Sequence, residues 1–387
     1  MKELLFEKLE KSYGDMVEIR RYLHMNPEVS FKEEKTAAYL ADFYNKLGIE
    51  VRTGVGGNGL IAKVKGGKPG KTVALRADFD ALPIQDQKET SYASQVPGVM
   101  HACGHDGHTA ALLQLAKAMH EMREDLSGEY VFIHQHAEEL APGGAVSMIE
   151  DGCLDGVDVI FGTHLWSLYE SGVIYYASGP VMAAPDKFHI TIQGAGGHGA
   201  APHQTKDAIV IGAQLIMNLQ QIVSRRVDPI ESAVLSVGSF ISDNAFNVIA
   251  DQAVMTGTVR TFTPELRDLM EEEIHRVVQG TAVLNNCEIT VDYSRGYPAV
   301  VNHEKETEFL KSVAETIPGL RGVEEMKPQM GGEDFSYYLE KVPGTFFFTG
   351  AKPENAYPHH HPRFDFDETA MLAAAKTLGA AAIEFQS

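Results

Sequence analysis

The chain has 387 residues, 44% of them hydrophobic, and a formal net charge of -20 from 33 basic and 53 acidic side chains. That length allows a large core or two domains, and the acidic balance repels phosphate backbones and anionic lipid, so neither nucleic acid nor a membrane is an expected partner. No apolar run approaches the roughly 20 residues that span a bilayer, and the charged amino terminus lacks the apolar stretch of a secretory signal. Three scattered cysteines, Cys103, Cys153 and Cys287, suit a reducing cytoplasm better than a disulfide framework.

Residues 3–23 carry helical apolar spacing at Leu4, Leu5, Leu9, Met16 and Ile19 and lead into His24-Met-Asn-Pro27. Ser30 followed by Glu33 reads as a capping box that opens a second helix, with Gly48 as its stop. The period then changes. Residues 60–64 and 72–77 read as strands separated by Gly66-Gly-Lys-Pro-Gly70. The second strand ends at Asp78 and Asp80, where open α/β sheets carry their chemistry.

Next comes His101-Ala-Cys-Gly-His-Asp-Gly-His108, with three histidines, a cysteine and an aspartate in eight residues. Alone it could be a polar loop with a buried cysteine. Cys103 and His105, two apart, can however face the same side of an extended or looped backbone, and thiolate with imidazole suits zinc and its neighbours rather than calcium or magnesium. A helix over 109–119 follows. A strand over 130–133 then delivers His134, Gln135, His136 and the pair Glu138-Glu139, and one over 157–161 delivers Thr163, His164 and Trp166. Three strand ends supplying metal-type residues point to one site, and strands alternating with helices imply an α/β fold: a mostly parallel sheet with helices on both faces.

After Pro185 the order is strand 187–193, helix 206–226, strands 231–240 and 252–262, a helix opened by Thr263-Pro264, and strand 288–293. This β-α-β-β-α-β order is ferredoxin-like. The expected organisation is a discontinuous catalytic, metal-binding domain over 1–185 and 298–387, with a separate domain, 186–297, inserted in it. The returning segment carries a helix from His303, the loop Gly331-Gly-Glu-Asp334, an apolar strand over 345–349, Pro358-His-His-His-Pro362 and a closing helix after Asp367.

A hydrolytic metal site needs ligands, an open coordination position and a base to take a proton from water. Cys103, His105, one of Glu138 or Glu139, His164 and one of the histidines 359–361 can supply two divalent ions. Zinc, manganese, cobalt and nickel all suit such a donor mixture. Adjacent glutamates on a tight turn do not easily ligate one ion together, so one reads as ligand and the other as general base.

The segments His24-Met-Asn-Pro-Glu28, Leu75-Arg-Ala-Asp-Phe-Asp-Ala-Leu-Pro83, Met100-His-Ala-Cys-Gly-His-Asp-Gly-His108, Ala137-Glu-Glu139, Gly162-Thr-His164, Gly197-His-Gly-Ala-Ala-Pro-His203, Gly332-Glu-Asp-Phe335 and His360-His-Pro362 form an ordered series over nearly the whole chain. The sequence thereby resembles the co-catalytic metallopeptidases and aminoacylases, and is most similar to the branch of hippurate hydrolases, N-acyl-amino-acid amidohydrolases and plant auxin-conjugate hydrolases. The resemblance implies Cys103, His105, Glu139, His164 and His360 as metal ligands and Glu138 as general base. His360 is preferred because the family's ligand precedes proline by two residues. The inserted domain resembles the family's lid or dimerisation domain. There His198 corresponds to the residue that polarises the scissile carbonyl across a dimer, and Asn247 and Arg260 to the groups that bind the substrate carboxylate, a task suited to a guanidinium fork.

One departure is His136, which stands where this branch carries proline. It leaves His134 and His136 as extra ligands or, in preference, as neighbours of the metals. Asp78 is expected to orient His105, with His101 and His108 shaping the loop. The expected activity is hydrolysis of N-acyl-L-amino acids to a carboxylic acid and a free amino acid by a cytoplasmic homodimer or dimer-based oligomer. The alternatives are a dipeptidase or carboxypeptidase with the same site, or a non-catalytic binder of amino acid derivatives.

Overall fold

Apolar runs without polar alternation fold as strands buried on both faces. In the computed structural model, which describes residues 1–386, strands Ser127–Gln135, Lys68–Asp78, Val159–Trp166 and Gly344–Gly350 run parallel in that order through the centre of an eight-stranded sheet. Every residue of Gly344–Gly350 is buried, as is all of Val159–Trp166 but its last, so both faces of the sheet are covered. Gly59–Lys65 and Glu50–Val55 extend one side antiparallel, and Val173–Tyr176 and Gly322–Glu325 extend the other. The helix His105–Glu121 lies in the main core, where Leu112, Leu115 and Met119 meet strand residues such as Leu75 and Phe161. Gly107 lets this helix come close. A Cβ there would stand 2.5 Å from the Phe366 ring and 2.7 Å from Leu165 Cδ1.

This sheet belongs to one compact unit, residues 1–181 and 301–328 with the chain from Asp334 onward, while 182–300 and 329–333 form a second. In the second, Val234–Ile241, Gln252–Thr261, Ala184–Gln193 and Glu288–Ser294 lie in that order in an antiparallel sheet. Alternate residues of Ala184–Gln193 are buried, the pattern of a sheet with one packed face. Phe188, Ile190 and Ile192 meet Leu215 and Leu219 of the helix Ala208–Arg225 and Ile274 of Pro264–Asn285. The expected cap holds: Thr263 Oγ1 accepts the Leu266 N–H at 3.2 Å, with Pro264 at the first helical position. Among the described residues no helix is long and apolar enough to cross a membrane.

Several local expectations change. The amino-terminal helix is two helices, Lys2–Lys11 and Tyr13–Met25, meeting at Ser12. Strand Glu50–Val55 gave no sequence signal, because it is an edge strand with one buried residue. The capping box does not form. Helix Glu34–Leu47 starts with no side-chain cap at Glu33, and Glu28 instead accepts from the Thr36 N–H and hydroxyl at 2.8 and 2.9 Å. Ser30 donates to Asp80 Oδ2 at 2.7 Å, and Glu33 turns inward. A cap site faces water that can replace it, whereas interior N–H groups have no substitute acceptor.

Candidate active site

Cys103 precedes Gly104, whose φ of 100° turns the chain into the helix beginning at His105. Cys103 Sγ lies 3.4 Å from His164 Nε2 and 3.7 Å from His359 Nδ1. The His164 Nδ1–H donates to the Leu165 carbonyl at 2.8 Å, which turns Nε2 toward the thiol. The His105 Nδ1–H donates to the Asp80 carbonyl at 2.9 Å. Its Nε2 is buried without a hydrogen-bond partner, 3.8 Å from Glu138 Oε2 and 3.9 Å from Glu139 Oε1. Glu139 Oε1 is likewise buried and unpartnered, while its Oε2 lies 3.3 Å from His360 Nε2. His360 has φ 65° and donates its N–H to the Ala102 carbonyl at 2.8 Å, which ties its loop to the cysteine loop. The residues expected as ligands, Cys103, His105, Glu139, His164 and His360, therefore converge, with Glu138 beside them.

The supporting shell differs from expectation. His105 Nδ1 is held by Asp80, through its carbonyl and through Oδ1 at 3.2 Å, and not by Asp78, whose Oδ2 stays 3.8 Å from Nε2. Asp78 binds His108 Nδ1 at 2.6 Å, and His108 Nε2 accepts the Leu165 N–H at 2.9 Å. His105 and His108 stand one helical turn apart on one face, so the two aspartates each meet a different ring. Asp80 Oδ2 also receives the Glu139 N–H at 3.0 Å. Behind Asp78, the buried Arg76 bridges it at 2.6 Å to Asp334 at 2.9 Å, and Gln135 Nε2 donates to both Asp334 oxygens. Asp106, the one acid of the 101–108 stretch, accepts from Arg20 at 2.9 Å and lies 2.7 Å from His24 Nδ1.

His134 and His136 stand outside these clusters. His134 Nε2 lies 2.7 Å from the Tyr44 hydroxyl, and burial lowers this ring to about 3. His136 packs edge-on against Phe31. Among the described residues neither joins a group of donors spaced to hold an ion. His359 does, with Cys103 and His164, although its Nε2 also accepts the Ser167 N–H at 3.3 Å.

The second unit carries the other expected site residues. His198 lies on the two-residue strand Gly197–His198, which pairs with Val248–Ile249. The Gly199 N–H donates to the Asn247 carbonyl at 2.8 Å, so the exposed His198 and Asn247 are neighbours. Arg260 donates from Nε to the Met330 carbonyl at 3.1 Å and from Nη1 to the Val259 carbonyl and the Thr258 hydroxyl. Part of the expected fork is thus already engaged.

The sequence profile of peptidase family M20/M25/M40 matches residues 74–384. The chain belongs to that family. It is 59% identical to the Bacillus subtilis protein YhaA over 98% of this chain and 96% of the relative. It is 47% identical to an N-acyl-L-amino acid amidohydrolase of Geobacillus stearothermophilus over 79% of this chain and 82% of that one. The crystal structure of the Bacillus subtilis YXEP protein, a dinuclear metal binding peptidase from the M20 family, superposes with a TM-score of 0.84 at 35% identity, covering 97% of this chain and 99% of the other. This M20 chain is a metal-dependent amidohydrolase.

Its donor set fits two cations. Burial opposes a charged imidazole at His105, yet Asp78, Asp80 and Glu139 raise it to about 10, a measure of how strongly the pocket attracts positive charge. Burial, with Glu139 and Glu138, pushes the Cys103 thiol well above its ordinary value, so a thiolate there needs a cation beside it. Cys103 joins one donor group with Glu139 and His360 and another with His164 and His359, and Glu139 joins a further one with His105 and Glu138. Sequence reasoning did not place Asp80 against His105 and Glu139, did not single out His359 from its neighbours, and did not turn Glu33 toward Ala137. Asp80 was visible as a strand-end carboxylate and His359 as one of three adjacent histidines, whereas Glu33 was hidden by its likeness to a cap.

Proposed function

We propose that this M20 chain hydrolyses the amide of N-acyl-L-amino acids to a carboxylic acid and a free amino acid. Cys103, His105, Glu139, His164 and His360 would hold two divalent ions, zinc, manganese, cobalt or nickel, and Glu138 serves as the general base. The observation that carries the division between the glutamates is the span of Glu139. Its two oxygens reach toward His105 at 3.9 Å and His360 at 3.3 Å, a ligand's arrangement, and proton transfer falls to Glu138. The 47% identical relative bears an N-acyl-L-amino acid amidohydrolase name, which supports the substrate class.

When bound, two such ions polarise the attacking water and the scissile carbonyl. Glu138 accepts the water's proton on its carboxylate and passes it to the departing nitrogen. His198 donates a hydrogen bond to the carbonyl oxygen. The Asn247 amide and Arg260 Nη2 bind the amino acid carboxylate. We place the reaction in the cytoplasm, where the free thiols Cys103, Cys153 and Cys287 are stable, and in a dimer joined through the second unit.

The test is a metal-reconstituted hydrolysis screen that sets N-acetyl- and N-benzoyl-amino acids against dipeptides with free amino termini. Turnover of the acylated compounds is expected. Hydrolysis restricted to free-amine dipeptides would replace this reading with a dipeptidase, and metal-loaded protein that binds but turns over none would replace it with a binder.

A further inference from the structure

Glu33 is 0% exposed and belongs to none of the donor groups around Cys103. Its Oε1 accepts the backbone N–H groups of Phe31 and Ala137, each at 2.9 Å, and its Oε2 accepts from Asn58 Nδ2 at 3.0 Å. Phe31 and Ala137 both have left-handed backbones, φ 66° and 54°, which residues with a Cβ keep only where the surroundings hold them. Ala137 is fully buried and immediately precedes Glu138-Glu139. Its φ therefore sets the direction in which that pair leaves strand Ser127–Gln135. Without Glu33 the Ala137 N–H would be a buried donor with no acceptor, and the turn would relax to satisfy it.

We propose that Glu33 is a positioning residue of the amide-cleaving site, holding the left-handed turn at Ala137 that aims Glu138 and Glu139. The inference rests on reading Glu138 as base and Glu139 as ligand. Ser30 supports the same pair from the same segment: its hydroxyl donates at 2.7 Å to Asp80 Oδ2, the oxygen that receives the Glu139 N–H. A helix-capping role does not account for Glu33, because helix Glu34–Leu47 takes no side-chain cap from it and Glu28 serves the Thr36 N–H. Burial, more than any nearby charge, pushes Glu33 up to about 7, so the neutral amide of glutamine is a close mimic. It keeps one oxygen for the two backbone donors while Asn58 can reverse its amide.

The test compares Glu33→Ala, Glu33→Asp, Glu33→Gln and the cap control Glu28→Ala. Each is measured for kcat and KM on an N-acetyl-amino acid, for Mn2+ affinity by calorimetry on metal-stripped protein, for thermal midpoint, and for hydrogen exchange of the peptide spanning 135–140. Glu33→Ala is expected to lower kcat roughly 100-fold, the scale of an ångström-sized misplacement of a reacting group, with KM little changed, weaker Mn2+ binding and faster exchange at Ala137. Glu33→Asp, whose shorter side chain withdraws the acceptor, should do the same and serves if the alanine variant does not fold. Glu33→Gln should recover most of kcat and the exchange protection. Glu28→Ala should lower the thermal midpoint and leave kcat alone. The proposal is overturned if Glu33→Ala or Glu33→Asp keeps kcat within about twofold of wild type, a change too small for displaced machinery, or if glutamine rescues neither kcat nor exchange. If the wild-type protein cleaves no acylated amino acid, the functional reading has failed, and exchange and Mn2+ affinity still decide the role of Glu33.

Discussion

The two adjacent glutamates make opposite predictions under the same substitution. Glu138→Gln keeps the shape of the side chain but removes the proton acceptor. Turnover should fall by about 10²–10⁴-fold, the range for losing a general base, while elemental analysis finds metal content near wild type. Glu139→Gln weakens a group whose oxygens lie 3.3 Å from His360 Nε2 and 3.9 Å from His105 Nε2, so metal content itself should drop. The reverse pattern would exchange the two roles. Both glutamates were legible in the sequence as a pair after a buried strand. Their supports were not: the Asp80 oxygen that receives the Glu139 N–H stands two residues from Asp78, and strand-end carboxylates of identical chemistry carry no mark of which ring each will meet.

Helices carry two glycines whose replacement should act in opposite directions. In His105–Glu121, alanine at Gly107 would place Cβ 2.5 Å from Phe366 and 2.7 Å from Leu165. Overpacking of that kind costs about 1–3 kcal/mol, more than the roughly 1 kcal/mol that alanine gains over glycine in a helix, so Gly107→Ala should lower the thermal midpoint. In Pro264–Asn285 a Cβ at Gly280 meets nothing within 4 Å, and Gly280→Ala should raise stability by about 0.5–1 kcal/mol. A raised midpoint for the first, or a lowered one for the second, would contradict the packing described. The same helix carries Glu273, which hydrogen bonds from Arg276 and then Arg226, against its own burial, lower from an ordinary 4.5 to about 2. An acid whose folded value is depressed contributes stability above its unfolded value and loses it as pH falls toward the folded one. The urea midpoint gap between wild type and Glu273→Gln should therefore be full near pH 6 and narrower near pH 3.5, and a gap that widens on acidification would refute the pairing.

At the scale of the whole molecule the second unit bears on assembly. The sheet of the second unit ends in two edge strands, Val234–Ile241 and Glu288–Ser294, and pairing of such edges across a two-fold axis is a direct route to a dimer. If His198 acts in a partner's site, mixing inactive Glu138→Ala with inactive His198→Ala under subunit exchange should restore activity, because one site of each mixed dimer combines an intact Glu138 with an intact His198. Mixed dimers verified by mass spectrometry that stay inactive would show that His198 works within its own chain.

The sequence by itself determined what depends on local period and on residue type. Long apolar runs became buried strands, Thr263-Pro264 opened its helix, and the cysteine, histidines and glutamates of widely separated motifs already described a set of donors that could hold a cation. Only the tertiary structure decided which polar group serves which partner. Ser30 and Glu33 have the spacing of a cap, yet they bind Asp80 and Ala137. His134 and His136 have a ligand's chemistry, yet one pairs with Tyr44 and the other packs on Phe31. The physical reason is that spacing records only what a residue can reach along its own element. The choice among polar partners is made by whichever buried N–H, ring nitrogen or carboxylate would otherwise be left unpaired, and those groups are brought together from distant parts of the chain only when the core closes.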